Sequence, residues 1–253
     1  MKETILKGTG ITKSFEKSGR KSKVLNGIDI EIYKGDFTVI MGSSGTGKST
    51  LLYTLSGMDK LTSGEVSYKN KIISKLNEKA TAQLRADEFG FIFQQSNLVS
   101  NLTIAENVRV AGYAGRKFTR AEIDDRTNKL FAQMKMTKIM DSLPSEVSGG
   151  EAQRTAIARA VISSPDILFA DEPTGALNKS NSESVIDLLY ELNQSGQSIL
   201  MVTHDVRIAM YGNRILYLED GRVIDELNLT QLDKTNLKER ESALNSWLSE
   251  LHW

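Results

Sequence analysis

The stretch Gly42-Ser43-Ser44-Gly45-Thr46-Gly47-Lys48-Ser49 limits what this chain can fold into more than any other part of it. The apolar run Phe37-Thr38-Val39-Ile40-Met41 leads in and predicts a buried strand. Leu51, Leu52 and Leu55 follow on one face of a helix predicted from Lys48 onward. A glycine-rich turn between strand and helix points several backbone N–H groups at one spot and adds the positive end of a helix dipole. Gly42, Gly45 and Gly47 allow the close approach and unusual φ that side chains block. Lys48 can reach the outer phosphates of a nucleotide, and the Ser49 hydroxyl can ligate Mg²⁺. The binding stretch is therefore read as Gly42 through Thr50. The alternative is a chance match in an ordinary glycine-rich turn, which the flanking strand and helix argue against.

With 253 residues and 40% hydrophobic content, the chain can bury a sizeable core as one large domain or two small ones. Lys plus Arg balance Asp plus Glu at 32 each. No excess of either sign points to nucleic acid or an anionic membrane surface as the main partner. The absence of cysteine excludes disulfides and thiolate metal sites and fits a reducing compartment. No apolar stretch approaches membrane-spanning length, and Met1-Lys2-Glu3-Thr4 lacks a secretory core. Work at a membrane is expected to go through a partner.

The first third reads as strands and turns. Val24, Ile28, Ile30 and Ile32 sit at even spacing, with Asp29 and Glu31 between the last three, as on a half-exposed strand. Ser18 to Lys23 reads as a polar hairpin loop. Phe89 to Phe93 is a second apolar strand, ending at Gln94-Gln95. From about residue 103 the pattern turns helical. Thr119 to Glu122 is a capping box, followed by Ile123, Leu130, Phe131 and Met134 on one face. Ser180 to Glu183 is read as another, opening a helix with Val185, Leu188, Leu189 and Leu192 inward. Ile167 to Ala170 and Ile199 to Val202 are apolar strands, and Ile215 to Leu218 with the turn Glu219-Asp220-Gly221-Arg222 suggests a closing hairpin. Strands interspersed with helices predict an α/β fold with a helical insert near 96–160.

Two further segments carry chemistry. Asp171-Glu172 follows the strand ending at Ala170. Asp171 would hold Mg²⁺ directly or through water, and Glu172 would accept a proton from an attacking water. A solvated acidic turn is the bland alternative. Ser148-Gly149-Gly150-Glu151 is a helix start, with Ser148 at the N-cap and Glu151 three residues on, before Ala156, Ile157, Ala160 and Val161. Glycines are poor helix formers in the first turn, and close approach of bare N–H groups to a phosphate would explain them.

Ser148-Gly149-Gly150-Glu151 with Gln153-Arg154, then Ala156-Ile157-Ala158-Arg159-Ala160, resembles the signature of ATP-binding cassette ATPases. The remaining motifs stand in family order: phosphate loop, Gln94, signature, Asp171-Glu172, the D-loop Gly175-Ala176-Leu177-Asn178, and a switch histidine, His204, after Met201-Val202-Thr203. The resemblance covers about residues 3 to 227. It implies a P-loop NTPase core of RecA-like type, an antiparallel β subdomain and an inserted α-helical signature subdomain, with residues 1–227 as the nucleotide-binding domain and 228–253 as an amphipathic tail. It implies an ATPase using ATP and Mg²⁺, in a head-to-tail homodimer that sandwiches two ATP molecules. Ser148 and Gly150, in the stretch that includes Gly149 and Glu151, would meet the γ-phosphate across the interface. Gln94 would sit near Mg²⁺, with Ser49 and Asp171, and near the attacking water. His204 would contact the γ-phosphate. Phe15 matches the aromatic that stacks on adenine, a role that needs only the ring.

The chain departs from the family pattern at Val147, at Glu151 and at Asn178, where aspartate is usual. Asparagine keeps the size and loses the charge, which bears on hydrolysis rate or coupling between sites. Phe169 to Leu177 resembles the bacterial subgroup serving extracytoplasmic-domain permeases for lipoprotein release, macrolide export and bacitracin-type peptide resistance, and Ala176 looks most like the peptide-resistance branch. The resemblance therefore implies a peripheral subunit at the cytoplasmic face of the plasma membrane, a permease partner, no nucleic acid, and a sensor histidine kinase as a further partner in the peptide-resistance case. A regulatory ATPase moving a non-transporting permease-like partner in cell-envelope or cell-division control is the main alternative, and a soluble cassette of DNA repair or translation the other. In the tail, Leu244, Trp247, Leu248 and Leu251 at helical spacing predict a short amphipathic helix that needs a surface to pack on.

Overall fold

The structure is a computed structural model, describing residues 2–17, 20–230, 232–233, 236–251 and 253. In chain order its strands and helices begin β1 (Thr4–Lys17), β2 (Arg20–Tyr33), β3 (Phe37–Met41), α1 (Lys48–Leu55), β4 (Ser63–Tyr68) and β5 (Lys71–Ile72). Then come α2 (Glu78–Glu88), β6 (Phe89–Ile92), α3 (Ile104–Ala114), α4 (Arg120–Gln133), α5 (Gly149–Val161), β7 (Ile167–Asp171) and α6 (Lys179–Gln194). The chain closes with β8 (Ser198–Val202), α7 (Val206–Ala209), β9 (Arg214–Glu219), β10 (Arg222–Asn228) and α8 (Leu237–Glu250). These elements form two compact units, Met1–Asn77 with Asn193–Trp253, and Glu78–Leu192.

In the first unit, β1 pairs antiparallel with β2 on one side and β4 on the other, and β5 extends the sheet from β4. The alternation read on β2 holds from Ile28 to Ile32, whose isoleucines are buried. Upstream of it the inward residue is Leu25, with Val24 only half-buried. The ladder pairs Ile11 with Ile28 but Thr12 with Asn26, and this register shift moves the inward parity by one residue. The expected polar loop is also shorter. Arg20 to Lys23 continue the β1–β2 ladder, in which Glu16 faces Lys21 and Lys17 faces Arg20. Ser18 and Gly19 lie outside the described residues.

The same unit holds a second group of strands. β3 is buried at every position and runs parallel to β8 and to β9, and β10 folds back antiparallel on β9 through the turn at Asp220 and Gly221. Both turn residues have positive φ, 47° and 69°, as a two-residue hairpin turn requires.

In the second unit, β6 runs parallel to β7. Helices α3, α4 and α5 share a core of Ile104, Val108, Ile123, Phe131, Met136 and Ala158. Thr119 caps α4 and Ser148 caps α5, each in a complete capping box with Glu122 or Glu151. Helix α6 starts two residues earlier than the Ser180–Glu183 reading. Asn178 precedes it, and its Oδ1 accepts the backbone N–H of Asn181 at 3.0 Å. Asparagine and serine are near-equal caps, and the earlier start adds helical hydrogen bonds such as Ser182 N–H to the Asn178 carbonyl at 2.9 Å.

Candidate functional site

The glycine-rich loop leaves β3 at Met41 and enters α1 at Lys48, as the sequence predicts. Gly42 has φ 151°, and a Cβ there would overlap the carbonyl oxygen of Leu218 on β9. Gly47, the residue before the helix, is left-handed at φ 103° and offers no side-chain cap to the first turn. A helix start of this kind, preceded by a glycine-rich turn, suits an anionic ligand. Lys48 is buried, and its Nζ donates to the carbonyls of Gly42 and Ser43, both at 2.8 Å. The loop is thus wound around an ammonium group. Ser43, Ser44 and Gly45 are exposed along its outer edge, and Thr46 donates its hydroxyl to the Ser43 carbonyl at 3.0 Å. Ser49 and Thr50 lie half-buried in the first turn of α1.

Two more predicted residues belong to this unit. Phe15 lies on β1 and is 44% exposed, with the Lys13 ammonium 4.8 Å from its ring centroid. His204 is exposed just beyond β8. Asp205 follows it and caps α7, accepting the Arg207 N–H at 2.9 Å and pairing with the Arg207 guanidinium at 2.6 Å. The hydrogen bond from Arg207 holds the Asp205 carboxyl below the usual aspartate range, against the opposing effect of burial.

The second unit carries the rest. Asp171 ends β7, and Glu172 follows with φ 47°. A non-glycine residue in that region is strained and persists only where its surroundings hold it. Here the Glu172 carbonyl accepts the Gly175 N–H at 3.0 Å and closes the turn. Gln94, exposed just past β6, reaches this turn: a Cβ on Gly175 would lie 2.9 Å from its Nε2. So β6 and β7, paired in parallel, deliver Gln94 and the Asp171-Glu172 pair to the same end.

At the start of α5, Ser148 accepts the Glu151 N–H at 3.3 Å, while a Glu151 carboxylate oxygen accepts from the Ser148 N–H at 2.8 Å and its hydroxyl at 2.7 Å. The Ser148 donors hold the Glu151 carboxyl below the usual range. Ser148 and Gly149 are exposed. Gly150 is buried, and a Cβ there would meet the Asn181 side chain at 2.6 Å. The second glycine of the pair therefore has a reason inside the chain, the close pass of α6. Gly149 has only ordinary space around it, with Leu177 at 3.6 Å.

Two residues that the signature contains, but to which the motif reading gives no role, hold this half together. Gln153 on α5 is 2% exposed and donates its amide to the carbonyls of Phe93 and Pro173, each at 2.8 Å. It thereby ties the residue before Gln94 to the residue after Glu172. Arg159, nearly two turns further along the helix, donates to the carbonyls of Ser96 and Asn97, each at 2.7 Å. The polar letters inside an apolar helical run were the available signal.

A strand–glycine loop–helix with a buried lysine, and an acidic pair at a parallel strand end, define a nucleotide-binding protein of the P-loop α/β class. The family model described as ABC transporter matches residues 25–175, and the chain belongs to that family. It is 40% identical over 225 residues to the bacitracin export ATP-binding protein BceA of Halalkalibacterium halodurans, covering 88% of both chains. It is 39% identical to the macrolide export ATP-binding/permease protein MacB of Wolinella succinogenes, covering 88% of this chain and 34% of that longer one. Among solved structures it resembles the dimeric post-hydrolysis state of the ATP-binding cassette MJ0796 bound to ADP and Pi, with TM-score 0.82, 35% identity, and coverage of 90% of this chain and all of that one. The fold is that of the ABC ATPase cassettes, and the chain is the ATP-binding, ATP-hydrolysing part of an ABC transporter. Among the described residues no helix is long and apolar enough to cross a membrane.

Proposed function

We propose that this chain is an ATPase subunit that works as a head-to-tail homodimer at the cytoplasmic face of the membrane, driving a permease of the extracytoplasmic-domain type in peptide-antibiotic export or resistance. The observation that carries the reading is the match to a bacitracin export ATP-binding protein along nearly the whole of both chains. The dimeric state of the similar MJ0796 cassette supports the homodimer. A sensor histidine kinase as an additional partner rests on the subgroup resemblance alone.

In this reading the N–H groups of Gly42 to Thr50 and the Lys48 ammonium hold the phosphates, and Phe15 stacks on the base. Lys48 would exchange two carbonyls for phosphate oxygens, a stronger charge-assisted pairing. Ser148, Gly149 and Gly150 present a helix N-terminus to the γ-phosphate of the partner subunit's nucleotide. Glu151 supports them by fixing the Ser148 backbone. Glu172 takes the proton of the attacking water, Gln94 orients that water, and His204 contacts the γ-phosphate. The Ser49 hydroxyl, the Gln94 amide oxygen and the Asp171 carboxylate are hard oxygen donors that suit Mg²⁺. When bound, Mg²⁺ supplies neutralisation of charge on the β- and γ-phosphate oxygens.

The test is isolation of the tagged chain from membranes of its own host, with identification of what comes with it. A multi-span permease, and ATPase activity of the isolated complex stimulated by a peptide antibiotic, are expected. Recovery with soluble partners only, or stimulation confined to a different substrate class, would overturn the assignment.

A further inference from the structure

Helix α8 packs on its own unit. Leu244 and Leu248 are fully covered, and Trp247 sits edge-on to Tyr217 of β9, with ring centroids 6.3 Å apart, while its indole N–H donates to Asp225 at 2.8 Å. One residue of this seam is out of character. Arg240, one turn before Leu244, is 3% exposed. Its Nε donates to the Met210 carbonyl at 2.9 Å, one terminal nitrogen to the Gly212 carbonyl at 2.6 Å, and the other to the Thr230 carbonyl. Burying a guanidinium is costly unless its donors are met. Three carbonyls in fork geometry meet them here, two of them in the turn that follows α7.

Helix α7 is only four residues long, too short to be stable alone. Its first end is fixed by the Asp205 cap, immediately after His204, and the turn that leaves its last end carries the two carbonyls, of Met210 and Gly212, that Arg240 takes. A cation at a helix C-terminus is also favoured by the helix dipole.

We propose that α8 is a clamp on the segment that follows His204 and that Arg240 is a positioning residue, holding α7 through the Met210–Gly212 turn at its last end so that His204 at the other end is presented in one place. The effect on turnover rests on the reading of His204 as a γ-phosphate contact; the clamp itself does not. Phosphate binding by the Lys48 loop does not depend on the clamp, whereas a shift of about an ångström in a reacting contact costs up to roughly 10²-fold in rate.

The experiment uses the full chain with Arg240→Met, which keeps an apolar stem and removes the fork, and with Arg240→Lys, which keeps the charge but not the fork. Steady-state ATP hydrolysis and hydrogen exchange are measured on both, with His204→Ala as the reference. The expected result for Arg240→Met is faster exchange over residues 205–212, a kcat lower by about 10- to 100-fold, and a KM for ATP within about twofold. Arg240→Lys should recover part of the kcat. Unchanged exchange over 205–212 in a folded Arg240→Met chain would overturn the clamp. So would a fall in kcat matched by an equal loss of ATP binding, the mark of general unfolding. Should Arg240→Met fail to fold, Arg240→Lys decides by the same two readouts. Normal turnover in His204→Ala, together with faster exchange in Arg240→Met, would sink the His204 reading while leaving the clamp standing.

Discussion

Gln153 offers a quantitative test of how the second half of the site is held. Its amide is buried and donates to two carbonyls, those of Phe93 and Pro173. Gln153→Met keeps length and volume and removes both donors. The Pro173 carbonyl is buried, and a buried acceptor left unmet costs roughly 1–3 kcal/mol. The Phe93 carbonyl is partly buried, so water can replace the lost donor and the loss is nearer the net value of about 0.5–1.5 kcal/mol. The amide itself no longer has to be desolvated, which trims the total to about 1–4 kcal/mol, a large share of a stability of roughly 5–15 kcal/mol. Urea denaturation, with the midpoint and slope read separately, measures the loss. Because Phe93 precedes Gln94 and Pro173 follows Glu172, turnover of the folded variant should also fall. Gln153→Glu should be worse at neutral pH, since it turns a carboxylate toward two carbonyl oxygens. A midpoint shift worth less than about 0.5 kcal/mol, with native turnover, would refute the claim that this amide joins the two strand ends.

Three further outcomes follow from the geometry. Gly42→Ala should abolish ATP binding by the loop, measured by fluorescent-nucleotide titration, because the new methyl overlaps the Leu218 carbonyl; native affinity would show that the loop can give way. Asn178→Asp should leave the α6 cap intact and stability equal or up to about 1 kcal/mol higher, while Asn178→Ala loses about 0.5–2 kcal/mol; turnover of Asn178→Asp is expected to rise with ATP affinity of the monomer unchanged. Asp205 has a lowered pKa in the folded chain, so its contribution is present above the unfolded aspartate pKa and is lost as pH falls through the folded value. Asp205→Asn should therefore flatten the acid limb of the stability–pH curve, and an unaltered acid limb would show that the Arg207 pair contributes nothing.

What was legible in the sequence is what local chemistry decides. The loop between β3 and α1, and the capping boxes at Thr119 and Ser148, need only neighbouring residues, and they stand where the letters put them. The start of α6 is not decided by its letters, because Asn178 and Ser180 are near-equal caps and the choice falls to the helix that makes more hydrogen bonds. The extension of β2 through Arg20 to Lys23 carries no apolar alternation to read, and pairing with β1 alone makes it a strand. Helix α2 was silent because its only buried residue is Thr81. The links made by Gln153, Arg159 and Arg240 are tertiary, each joining segments at least ten residues apart. A lone polar letter in an apolar run hints at such a link but cannot name its partner. The strained φ of Glu172 likewise has no sequence signal, since nothing in Asp171-Glu172-Pro173 demands it.

The central claim is that ATP is held between two copies of this chain, with Glu172 as the base. Glu172→Gln removes the base while leaving the phosphate loop and Ser148 untouched, and loss of a positioned base costs roughly 10²–10⁴-fold in rate. Light scattering coupled to size-exclusion chromatography, with ATP and Mg²⁺ in the running buffer, reads the assembly directly. The predicted result is a stable dimer holding two ATP molecules and turning over little, which reverts to monomer when Lys48→Ala is added. An ATP-loaded monomer, or turnover close to that of the native chain, would contradict it.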